Sequence, residues 1–200
     1  MDTESTVLES WQHLYASSGH ELDLDRWLST VGGDVEERYA ALAALVGDGF
    51  DHDAAHDLRL AHELALVAEL PLRDGWAEVL DRALDRGLRL AVVSSSPLWW
   101  VGGHLTRLGL QDRFELVVTR EDAERAKPHP DLYLVALERL GLAPEQALVV
   151  EDSVNGAAAA TAAGLDVVVV PNAVTVRQAH VVPSLAPTSL WAHVEGLLAA

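Results

Sequence analysis

Three polar clusters carry the residue types from which a reactive site can be built. Ser94-Ser95-Ser96-Pro97 directly follows the apolar run Leu88–Val93. Lys127 lies a short acidic segment beyond the run Phe114–Val118, and Glu151-Asp152-Ser153 directly follows Ala147–Val150. A hydroxyl-rich turn with proline suited to a first helical turn favours an anion. A lysine placed before a proline presents a point charge to a phosphate. Two adjacent carboxylates offer the hard oxygen donors that suit magnesium. Each cluster alone has a plainer explanation: Ser94 to Ser96 as a helix N-cap, Lys127 as a solvated charge, Glu151-Asp152 as a cap with a helix-dipole partner. Their order at successive strand ends decides otherwise, because in an open parallel sheet ligands bind beyond the carboxyl ends of the strands.

The elements that must position these groups fall into two halves. From Met1 to about Leu70 the apolar residues recur at helical spacing, as in Val7, Leu8, Trp11 and Leu14 and again in Leu58, Ala61, Leu64 and Ala65. Breaks at "SSGHELD", Gly32-Gly33 and "VGDGFDHD" divide this half into four helices. Pro71 marks a boundary, so the chain is read as a helical unit over residues 1–70 and an α/β unit over residues 71–200. The second half alternates apolar runs with amphipathic helices, the signature of a parallel sheet with crossover helices. Its expected strands are Leu88–Val93, Phe114–Val118, Ala147–Val150 and Asp166–Val170, and their valine content predicts burial on both faces. Gly87, Gly109, Gly141 and Gly164 stand where left-handed helix C-caps are wanted. His180–Val182 is read as a short edge strand, Thr188 as the cap of a closing helix to Leu198, and "GAAAATAAG" as a helix packed close to the sheet.

"AVVSSSP", "KPHPDLY" and "VVEDSVNG" resemble the second, third and fourth motifs of the haloacid-dehalogenase-like superfamily, in the branch that contains beta-phosphoglucomutase and phosphoglycolate phosphatase. The resemblance covers about Leu72 to Asn172. It implies a Rossmann-like, three-layer parallel-sheet core, with residues 1–70 as an inserted helical cap. It also implies a magnesium-dependent hydrolase of small phosphorylated metabolites, of sugar phosphate or phosphoglycolate type, with a phosphomutase or a non-catalytic phosphate-binding protein as alternatives. Carried over, Ser94 and Ser95 would hold a phosphoryl oxygen and Lys127 would neutralise the phosphate. Asp152 would bind Mg2+, with Glu151 as a second ligand or an orienter of metal-bound water.

Asp2-Thr3-Glu4 is similar to the tail of the first motif, D-x-D-G-T-x-x-D-T/S, whose first aspartate attacks phosphorus to form an aspartyl-phosphate and whose second acts as general acid and base. Neither of those two aspartates is in this sequence. Asp2 corresponds to the later aspartate, on the turn into the cap, and lacks a strand to fix its geometry. In the family the nucleophile strand lies between the strands ending at Ser94 and Glu151, and burying its side chains contributes on the order of 5–15 kcal/mol, comparable to a domain's whole net stability. The expectation is a natural start upstream of Met1 and, in this chain alone, a central slot left for another segment.

Substrate choice in such a cap falls to its loops. Gly32, Gly33 and Asp34 are the candidates to dip into the site, and Trp99, just after the phosphate turn, is read with Trp100 as packing beneath the cap or lining its entrance, with packing favoured. His52, Asp53, His56, Asp57, His62 and Glu63 have spacings at which zinc ligands occur, but the polar face of an amphipathic helix accounts for them. The composition bounds the partners. With 31 acidic against 14 basic residues and a formal charge of −17, no electrostatic footprint for nucleic acid or anionic membrane exists. The absence of cysteine, and a start without signal-peptide character, suit a cytoplasmic protein.

Overall fold

The computed structural model describes residues 1–30, 35–178 and 194. Among the described residues the helical half comprises α1 (Thr3–Ser17), α2 (Leu24–Ser29), α3 (Val35–Val46) and α4 (His52–Ala68), four helices as the sequence predicts. The α/β half runs α5 (Trp76–Asp85), β1 (Ala91–Val93), α6 (Leu98–Arg107), β2 (Leu116–Val118), α7 (Asp131–Leu140), β3 (Leu148–Glu151), α8 (Val154–Ala162) and β4 (Asp166–Val169). Gly87, Gly109, Gly141 and Gly164 follow their helices with φ of +72°, +66°, +66° and +81°, the left-handed endings expected of them. Among the described residues no helix is long and apolar enough to cross a membrane. His180–Val182, and all of the closing helix except the helical Val194, lie outside the described residues, as do Gly32, Gly33 and Asp34.

The helical half packs around Trp11, Leu14, Tyr39 and Leu42, with Val174 from beyond β4 joining the same cluster. One apolar stripe differs from expectation. Leu58 and Leu64 are exposed, whereas α4 turns Ala55, Arg59, Glu63 and Val67 inward. The Arg59 guanidinium donates to the Tyr39 hydroxyl and the Ser10 Oγ and pairs with Glu63. A face that hydropathy assigns to solvent is therefore buried with its charges matched, and Glu63 does not belong to the exposed polar face.

The sheet also differs. β1 pairs in parallel with β2, and β3 with β4, as two separate two-stranded sheets. β1, β2 and β4 are shorter than the apolar runs that encode them, and β3 is shifted by one residue from its run. They are not buried on both faces: β1 is only half-buried and Val150 in β3 is exposed. Among the described residues no strand pairs with the second edge of β1 or of β3, so those edges receive neither the hydrogen bonds nor the cover that a further strand would give. Behind the sheets, α7 and α8 supply the buried side chains Tyr133, Leu137, Ala159 and Ala160. The alanines of α8 permit the close helix–sheet approach read from "GAAAATAAG".

Candidate active site

The polar clusters meet where β1 and β3 end. The backbone N–H of Ser94 donates to the Val118 carbonyl at 2.9 Å, extending the β1–β2 ladder into the serine turn. Within that turn the Ser94 Oγ accepts from the Ser96 N–H at 3.1 Å, and the Ser95 Oγ accepts from the Lys127 N–H at 3.3 Å. The serine turn and the lysine segment are thus fastened to each other.

Lys127 spans the gap between the two sheets. Its Nζ donates to the Val93 carbonyl at 2.9 Å and to the Tyr133 hydroxyl at 3.1 Å, and it forms an ion pair with the Glu151 Oε1. The ammonium also lies 4.7 Å from the centre of the Tyr133 ring, a favourable cation–π contact. Tyr133 in turn donates its hydroxyl hydrogen to the Glu151 Oε1. Burial, and then the Glu151 charge, push the tyrosine well above its ordinary pKa, so it stays a neutral donor. The Glu151 Oε2 accepts from the Asp152 N–H at 3.2 Å and the Ser153 Oγ at 3.4 Å. Both oxygens of Glu151 are therefore engaged by the protein. A Cβ at Gly156 would overlap the Glu151 carboxylate, so a larger residue there would displace that carboxylate.

Asp152 is placed differently. Its Oδ2 accepts from the Asn172 Nδ2 at 2.9 Å. Burial first, and then the neighbouring Glu151 charge, raise its pKa against the opposing effects of Asn172, Lys127 and Arg73. Two hard carboxylates, one burdened by burial and repulsion, form a donor set that a divalent cation would relieve. Magnesium is commonly held by only one or two carboxylates, with water and phosphate completing its shell. Among the described residues no group of three or more His, Cys, Asp or Glu converges as a metal cage.

The first helix borders this site. Asp2 is spent as its N-cap, accepting from the Ser5 N–H at 3.1 Å and the Ser5 hydroxyl at 2.8 Å. Glu4 has an Oε2 with no exposed surface and no hydrogen-bond partner. Burial and then the Asp152 charge raise its pKa to about 7, with Arg38 opposing.

Other candidates fall apart from the cluster. Trp99 is 59% exposed and meets Trp100 edge-on at 5.5 Å, so the favoured packing role does not hold for Trp99. His52 bonds Glu36 at 3.2 Å, His56 bonds Tyr39 at 3.2 Å and His62 stacks on His13 at 4.1 Å, which ties the α4 histidines to neighbouring helices. Tyr133, Asn172 and Gly156 were not singled out by sequence. Asn172 was within reach of the rule used for the other strands, because it stands just past the end of β4. Tyr133 sits inside "KPHPDLY", where only its hydroxyl marks it as more than core.

Comparison with known proteins places this geometry in context. Residues 1–170 match the family described as haloacid dehalogenase-like hydrolase. The Bacillus subtilis protein YhcW, provisionally named a phosphatase, is 38% identical over 176 residues, covering 88% of this chain and 80% of its own. CbbY from Rhodobacter sphaeroides, solved in complex with xylulose-(1,5)bisphosphate, superposes with a TM-score of 0.71 at 27% identity, covering 86% of this chain and 82% of its own. A HAD family hydrolase from Deinococcus radiodurans with bound phosphate and sodium gives a TM-score of 0.72 at 27% identity, covering 96% and 89%.

Proposed function

The chain belongs to the haloacid dehalogenase-like hydrolases, and we propose that it forms the phosphate- and magnesium-holding body of a phosphomonoester hydrolase acting on a small phosphorylated sugar. In this reading residues 1–70 are the cap and residues 71–200 the core. Lys127 neutralises the phosphoryl group and the carboxylate that attacks it. Ser94 and Ser95 donate to phosphoryl oxygens, and Asp152 would hold Mg2+. Glu151, with both oxygens held by Lys127, Tyr133, Asp152 and Ser153, orients the lysine and would orient water held by the cation. The cation when bound supplies charge stabilisation for the transferred group.

The observation that carries this reading is the bonded array Ser95–Lys127–Glu151, with Asp152 beside it, joining the carboxyl ends of two sheets that share no central strand among the described residues. The space between β1 and β3 is where the reading puts a strand bearing the attacking aspartate, which would form an aspartyl-phosphate. The bound phosphate of the Deinococcus relative and the bound sugar bisphosphate of CbbY support the substrate class.

A second reading is phosphate binding without turnover. Phosphate release from a panel of phosphorylated metabolites by the upstream-extended protein, with and without Mg2+, separates the two. Magnesium-dependent release, abolished in Lys127→Ala, is expected. Phosphate bound but none released from any substrate would move the assignment to the binding reading.

A further inference from the structure

The chain leaving β4 does two things within five residues. Val170 donates its N–H to the Glu151 carbonyl at 2.7 Å, and the next carbonyl, of Pro171, accepts from the Arg73 guanidinium at 2.8 Å. Asn172, 3% exposed, then spends both ends of its amide. Its Nδ2 donates to the Asp152 Oδ2 at 2.9 Å. Its Oδ1 accepts from the N–H groups of Val174 at 2.9 Å and Thr175 at 2.8 Å. The Asn172 N–H donates to the Thr175 Oγ1 at 3.0 Å, which closes the turn on itself. Val174, 4% exposed, points the other way, into the helical core formed by Trp11, Leu14, Tyr39 and Leu42.

We propose that Asn172 and Val174 are positioning residues, and that the turn they share transmits the seat of the helical unit to the carboxylate of Asp152. The inference rests on the reading of Asp152 as the cation ligand. A turn closed by three internal hydrogen bonds moves as a body, so displacing Val174 carries the Asn172 amide with it. A hydrogen bond weakens steeply once its length and angle leave their narrow range. The orientation of Asp152 therefore depends on whether the helices are packed over Val174. By reciprocity, a cation that fixes Asp152 also favours the packed arrangement. Asn172 serves here as the partner that orients a metal-ligating carboxylate, a role whose loss weakens metal binding without removing a ligand.

The test is the affinity of the full chain for Mn2+, followed by electron paramagnetic resonance, with thermal melting of every variant. Asn172→Ala is expected to weaken Mn2+ binding by about tenfold to a hundredfold. Val174→Ala, which touches no oxygen of the site, is expected to weaken it by about threefold to tenfold, and the double variant to be no weaker than Asn172→Ala alone. Val67→Ala, a truncation of a buried α4 residue outside the cluster that holds Val174, is expected to lower the melting temperature and leave Mn2+ affinity unchanged. Wild-type affinity in Val174→Ala or in Asn172→Ala overturns the proposal, as does an equal loss in Val67→Ala, which would mark general loosening. If Asn172→Ala does not fold, the contrast between Val174→Ala and Val67→Ala decides alone. Failure of the wild-type chain to bind Mn2+ at all overturns the cation reading itself and this inference with it.

Discussion

Replacing Glu4 by glutamine should change how the stability of this chain depends on pH. The Glu4 carboxyl lies in the first turn of α1, with one oxygen sealed from solvent and without a donor. Burial and the charge of Asp152 hold its pKa at about 7, against an ordinary 4.5. The sign follows from proton linkage. Below pH 4.5 the carboxyl is protonated in both folded and unfolded chains and contributes nothing to the pH slope. Between 4.5 and about 7 the unfolded chain ionises while the folded one keeps its proton, so stability falls as pH rises. Above about 7 the loss is complete. At about 1.36 kcal/mol per pKa unit, the span from 4.5 to about 7 corresponds to about 3 kcal/mol. Glutamine has nearly the same shape and no charge to desolvate. Glu4→Gln should therefore match the parent near pH 4 and exceed it at pH 8 by up to about 3 kcal/mol, with the unmet hydrogen bonds of the amide reducing the gain. Urea unfolding of both proteins at half-unit steps from pH 4 to 8.5, in the presence of a chelator, measures the difference directly. A difference that stays flat across this range, or that grows toward acid, refutes the placement of Glu4 as a desolvated, unpartnered carboxyl.

Two further outcomes test other parts of the structure. Arg59→Met leaves the Glu63 carboxylate buried without its partner and strips donors from Tyr39 and Ser10; it should cost about 3–5 kcal/mol in denaturant unfolding, and the added change Glu63→Leu should recover much of that loss. Tyr133→Phe removes a hydroxyl that donates to Glu151 and accepts from Lys127, a bond to charged groups that contributes about 2 kcal/mol; calorimetry with inorganic phosphate should show weaker binding, and unchanged affinity would show that Lys127 is held without it.

Much of the site was legible because its parts lie at strand ends, and strand ends are visible in a sequence as the places where valine runs stop. Ser94, Ser95, Lys127, Glu151 and Asp152 are candidates picked out in this way, and the structure places them near the ends of β1 and β3. Their division of labour was not legible. That Glu151 is saturated by protein donors while Asp152 leans on Asn172 depends on which side chains face one another across elements far apart in the chain.

The sequence by itself determined the alternation of helices and strands, the glycine helix ends and the order of polar clusters along the sheet, because these follow from local periodicity and backbone preference. Only the tertiary structure decided which face of α4 is interior. Hydropathy reads Leu58 and Leu64 as core and Arg59 and Glu63 as surface, and it cannot count the hydrogen bonds that Arg59 donates to Tyr39 and Ser10, which make the opposite arrangement stable. Likewise, a valine run states that a strand forms but not which neighbours it has. The exposure of Val150 and the separation of the two sheets among the described residues are long-range properties that no window of residues contains.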